Sequence, residues 1–151
     1  MKTAAKIFII LILLVPAPLL AESLPEIEVE NLFLEKKAFD KDFMQLSEKE
    51  GAVFWPLYND YEKLLVTRFK RYKALIRDYM QEHEHLSDKK ATEMTTTLMD
   101  IQADYLKNKH AYVKKFRDKL PPKRVFQYFV LEDQIGAGFF AMILENLPPI
   151  K

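Results

Sequence analysis

Apolar residues recur along this chain at intervals of three and four, the spacing of one helix face rather than the alternation of a strand. Phe54, Leu57, Tyr58, Tyr61, Leu64, Leu65, Phe69, Tyr72, Leu75, Ile76 and Tyr79 keep that spacing over many turns. Met94, Leu98, Ile101, Tyr105, Tyr112 and Phe116 make a second stripe, interrupted by Lys109. A third holds Val125, Phe126, Phe129, Val130, Phe139, Phe140, Ile143 and Leu144, and Phe39, Phe43 and Met44 mark one side of a short segment over 35–45. The pattern predicts an all-α chain of long helices and short connections.

Three places carry matching start signals: Leu46-Ser47-Glu48-Lys49-Glu50, Leu86-Ser87-Asp88-Lys89-Lys90 and Leu120-Pro121-Pro122-Lys123-Arg124. A serine hydroxyl caps an orphan backbone N–H, and proline is pre-set for the first turn. Glu50 stands where a capping box needs it. Pro56 lies inside the second helix and removes the N–H that would bond the Ala52 carbonyl. That predicts either a kinked continuous helix, which the pattern on both sides favours, or a regular helix beginning only at Pro56. The third helix is expected from Asp88 to about Lys119, and the fourth from the proline pair to Pro148. Gly136 and Gly138 weaken the fourth by about 1 kcal/mol each relative to Ala. They mark either a close helix approach or a flexible spot.

The two ends read differently. Lys2 and Lys6 precede a short apolar run, Ile7 to Val15, and Leu19-Leu20-Ala21 offers a cleavage site. Residues 1–21 are therefore expected to be a cleaved signal peptide, since a span needs about 20 apolar residues. Residues 22–34, with Pro25 and scattered Glu, read as an extended arm, 35–147 as one helical domain, and 148–151 as a tail. Removing 1–21 takes away Lys2 and Lys6 and no acid, so the formal charge falls from +1 to −1. No charge excess calls for nucleic acid or an anionic membrane as partner. Cysteine is absent, which excludes disulfides, thiol chemistry and a lipid anchor. Export without disulfides or a glycosylation sequon points to the periplasm.

Charge sets a register. Residues 63–79 are basic and 88–104 acidic on balance, while 48–62 are acidic and 107–119 strongly basic. Folding the second and third helices back on each other around His83 to Leu86 opposes unlike charges, for example Arg68 near Asp100 and Glu62 near Lys107. A parallel arrangement opposes like charges. The expected fold is thus a long antiparallel helical hairpin, roughly 45 Å in length. A short N-terminal helix, the C-terminal helix or a second subunit must cover its aromatic stripe.

Candidate chemistry is sparse. His83-Glu84-His85, at the hairpin tip, is the one cluster with metal-ligand chemistry, because neutral imidazole binds zinc, copper and nickel. Residues two apart on a helix diverge, however, and a structural zinc wants four ligands. There is no glycine-rich phosphate loop and no nucleophile–base constellation. A pair such as Glu132-Asp133 can do acid–base work in principle, but on a helix it reads as a solvated face or an ion-pair partner. Phe139, Phe140 and Ile143 read first as core and next as a dimer interface, and are candidates for partner binding if that part of the stripe stays open.

Phe54-Trp55-Pro56-Leu57-Tyr58-Asn59-Asp60-Tyr61, Leu75-Ile76-Arg77-Asp78-Tyr79 and the run from Leu120 to Glu132 resemble a group of small proteobacterial periplasmic proteins. That group has an FWPLY-type helix and an LPPKK…FYQLEN-type final helix, and is distantly similar to the Spy/CpxP family of LTxxQ proteins. Leu46-Ser47-Glu48-Lys49-Glu50 corresponds to LTxxQ with Ser for Thr and Glu for Gln. Val130 and Asp133 depart from the FYQLEN pattern. The resemblance implies an all-helical, often dimeric protein acting in ATP-independent chaperoning or in repression of an envelope-stress sensor. The expected function is therefore non-enzymatic binding of other polypeptides, with a homodimer and no cofactor. The alternative is a metal-responsive periplasmic regulator using His83 and His85.

Overall fold

In the computed structural model, residues 29–145 and 147–149 are described; the expected signal peptide and residues 22–28 of the expected arm lie outside them. The described residues form four packed α-helices and no strand: α1 (Val29–Met44), α2 (Glu48–Glu82), α3 (Asp88–Arg117) and α4 (Pro122–Glu145). One expectation is corrected here. Residues 29–34 belong to α1 rather than to an extended arm, because Phe33 finds a partner in Phe69 of α2, with ring centroids 6.1 Å apart. Packing against α2 overrides the weak local pattern of that stretch.

Each start signal acts as capping chemistry requires. The Ser47 hydroxyl accepts from the Glu50 N–H at 3.3 Å, and Glu50 Oε2 accepts from the Ser47 N–H at 2.9 Å, a reciprocal capping box. Ser87 accepts from the Lys90 N–H at 3.2 Å, and Pro122 opens α4. α2 runs unbroken through Pro56, which is exposed. Between α1 and α2, Gln45 takes a left-handed conformation at φ 43°, the role that Gly usually fills just past a helix end.

The core is aromatic. Phe54, Tyr58 and Tyr61 of α2, Phe116 of α3 and Tyr128 of α4 are fully buried, with Met44 of α1 closing one end. Phe54 meets Phe116 at 5.4 Å and Tyr128 at 5.1 Å in edge-to-face contacts, the favoured geometry for ring quadrupoles. Four contacts give the register of α2 against α3: Phe54 with Phe116, Tyr61 with Tyr112, Arg71 with Asp104, and Asp78 with Lys90. The two ion pairs named from sequence do not form. Arg68 instead lies over the Tyr105 ring at 3.6 Å, and Glu62 is 3.9 Å from Lys37 of α1. A guanidinium lies well on an aromatic face, and that contact takes Arg68 away from the acidic residues.

Candidate functional site

The most unusual chemistry lies inside the bundle, where α1 meets α4. Lys36 Nζ is 2.7 Å from Asp40 Oδ2 on its own helix and 2.8 Å from Glu132 Oε2 on α4. All three residues are buried. Lys36 and Asp40 are four apart, so one helix face presents both, and Met44 continues that face into the core. Glu132 follows Tyr128 by one turn and so inherits the buried side of α4. The Lys36 ammonium also lies 5.2 Å from the centroid of the Tyr58 ring.

Burying ions is costly unless they are paired, and here one cation serves two carboxylates. Burial alone lowers the pKa of Lys36, but the charges of Glu132 and Asp40 outweigh that and raise it. Burial raises the pKa of Glu132, against the opposing pull of Lys36. Burial, with the same carboxylates adding to it, pushes the Tyr58 and Tyr128 phenols far up, so both remain O–H groups. Among the described residues, the hydroxyl of Tyr128 is buried without a hydrogen-bond partner. Glu132 Oε2 meets Lys36 as an ion pair across the α1–α4 contact. Sealed from solvent, the cluster acts on the fold: it ties α1 to α4 through charge rather than through apolar contact alone.

A second polar junction closes the other end of α1. Arg124 of α4 donates from Nε to Glu50 Oε1 at 2.8 Å and from Nη1 to the Met44 carbonyl at 3.2 Å. One side chain thereby joins the end of α1, the cap of α2 and the first turn of α4. Its hydrogen bond, helped by those from Ser47, holds the Glu50 carboxyl well down, at about 2.

The residues singled out from sequence fall elsewhere. His83 caps the C-terminus of α2, and its Nδ1 is 2.9 Å from the Met80 carbonyl, which accepts only, so Nδ1 carries the proton. His85 is exposed. Among the described residues no group of three or more His, Cys, Asp or Glu side chains is placed to hold a metal ion. Phe139, Phe140 and Ile143 do not form an open surface and lie with the core, the first of the readings given for them. Phe139 packs on Phe69 at 4.7 Å, Phe140 on Tyr72 at 4.8 Å, and Ile143 is buried. They occupy the side of α4 that extends the aromatic core along α2. The Glu132-Asp133 pair is split: Glu132 is inside, while Asp133 is exposed and pairs with Lys109 of α3.

Lys36, Asp40 and Arg124 escaped sequence reasoning, as did the burial of Glu132. A signal existed: Glu132 sits on the apolar stripe of α4, and Lys36 and Asp40 stand on the face shared by Phe33 and Met44. A charge at a stripe position is a candidate for a buried pair.

No family model matches the chain, and neither the curated proteins nor the solved structures contain a match. No helix among the described residues is long and apolar enough to cross a membrane.

Proposed function

We propose that this chain is a non-enzymatic periplasmic protein that binds other polypeptides, as a chaperone-like or envelope-stress regulatory factor, and that it works as a homodimer. The observation that carries the reading is the outer face of α4. Phe126 is 73% exposed and Leu144 70%, and exposed Val130, Ala137 and Ala141 fall between them at helical spacing. Only Asp133 and Gln134 interrupt this stripe with polar groups. The aromatic core is already filled by other residues, so this face has no covering partner within the described bundle.

The scaffold of this reading is an antiparallel hairpin of α2 and α3. Supporting it are the pairings of Phe54 with Phe116 and of Asp78 with Lys90, in which numbers rise on one helix as they fall on the other. Export rests on the basic and apolar leader, with cleavage after Ala21.

The test is light scattering of a chemically unfolded client, diluted into buffer with the purified protein in stoichiometric excess. Aggregation should be suppressed. Phe126→Asp combined with Leu144→Asp should weaken that suppression while leaving Tm unchanged. Undiminished aggregation, together with no partner recovered by cross-linking in the exporting cell, would remove the reading.

A further inference from the structure

We propose that the cleft between α2 and α3 at Arg68 is a binding site for a small monocarboxylate with an apolar body. The cleft has a volume of about 290 Å3, at the small end for ligand sites. Leu64, Leu65 and Ile101 supply an apolar wall, and Arg68, Arg71 and Asp104 supply charge. Two of those charges already satisfy each other, because Arg71 Nη1 donates to Asp104 Oδ2 at 2.6 Å.

Arg68 is the charge left over. Among the described residues no carboxylate lies within 4.0 Å of it. Its guanidinium lies over the Tyr105 ring at 3.6 Å and 4.9 Å from the Phe140 ring centroid. Stacking uses the flat face of the group and leaves its in-plane N–H fork as donor. Its Nε is sealed from solvent and has no hydrogen-bond partner among the described residues. The sealed Nε stays out of a ligand's reach, so the matching ligand is a carboxylate accepting from the two Nη groups of a guanidinium that no acid of the described bundle neutralises.

The surroundings select within the anions. The apolar wall accepts a hydrocarbon body, with Thr67 and Asn108 as neutral polar groups beside it. Asp104 at the edge, neutralised by only one Arg, disfavours a dianion such as phosphate. A cationic ligand meets the unpaired Arg68, and a neutral amide supplies one acceptor where the fork calls for two.

Titration of the purified full chain with hexanoate, followed through backbone amide resonances, tests the site. Saturable shifts should appear in residues 61–71 and 101–108. Hexanamide and hexylamine should cause none. Arg68→Met keeps a side chain between the rings without the charge and should weaken hexanoate binding at least about tenfold. Arg68→Lys keeps the charge without the fork and should fall between the two. If Arg68→Met fails to fold, Arg68→Lys and the hexanamide comparison still decide. Absence of saturable shifts, equal binding of hexanamide, or hexanoate binding unchanged by substitution of Arg68 would overturn the proposal.

Discussion

The Lys36 ammonium of α1 stands 2.8 Å from the Glu132 carboxylate of α4, with both side chains almost wholly removed from solvent. Asp40 also pairs with Lys36, so a single cation faces two buried acids. This relationship places the docking of α1 under electrostatic control, and it is where substitutions should have their largest effects.

Lys36→Met leaves two carboxylates inside the bundle without a counter-charge. Losing one partner of a buried ionic group costs about 3–5 kcal/mol, and urea unfolding at pH 7 should show a loss of that size. Glu132→Gln removes one acid while Asp40 still pairs with Lys36, so its cost should be much smaller.

The same pair sets a pH dependence. The raised pKa of Lys36 means that its contribution is complete below the ordinary lysine value of 10.5 and is lost as pH rises through the raised one. The raised pKa of Glu132 has the opposite sense for an acid. Its burial opposes folding at neutral pH, and the penalty is relieved as pH falls through the raised value toward 4.5. Without Lys36 the main offset to the burial of Glu132 is lost, and its pKa rises further. Acidification therefore relieves Lys36→Met more than wild type and the gap should narrow, as paired unfolding curves at pH 7 and pH 4.5 would show.

The clamp of Arg124 on Glu50 predicts a separate acid limb. Glu50 has its pKa lowered from 4.5 to about 2, so its contribution is present above 4.5 and lost as pH falls from 4.5 toward 2. Arg124→Met should lower Tm at pH 6, and its deficit should shrink across that window. A deficit independent of pH would assign the role of Arg124 to its bonds with the Met44 carbonyl and the Gln127 side chain.

Gln45 holds φ 43° in the turn between α1 and α2. For a residue with a Cβ that conformation costs roughly 1–2 kcal/mol, part of which glycine returns as unfolded-state entropy. Gln45→Gly should stabilise by about 0.5–1 kcal/mol, while Gln45→Val should destabilise, and chemical denaturation measures both.

Gly136 and Gly138 discriminate between two states of association. A Cβ built on either meets nothing within 4 Å, so neither marks a close approach within the described bundle. Alanine at each should raise the stability of the folded chain by about 1 kcal/mol through helix propensity. Should a second copy pack on this stretch of α4, the same substitutions would weaken the dimer in sedimentation equilibrium.

Much of the fold was legible in the sequence because the rules behind it act over a few residues. Ser47, Glu50 and Ser87 make their caps from local geometry, and the buried Phe54, Tyr58 and Tyr61 fall on a stripe set by the helical repeat alone. The candidate sites were less legible. Phe139 and Phe140 read as core or as an open partner surface because helical spacing shows which residues share a face, and only the position of α2 tells which way that face turns. Arg68 was matched to Asp100 by charge, whereas packing laid it on Tyr105.

Helix type, the starts of α2, α3 and α4, and the apolar stripes were thus determined by the sequence alone. The tertiary structure decided that α1 extends back to Val29 and that Lys36 and Asp40 turn inward toward Glu132. It also decided that Phe126 and Leu144, rather than Phe139 and Phe140, face outward. Capping and periodicity depend on neighbours in the chain. The burial of a charge depends on a partner that only folding brings within 3 Å.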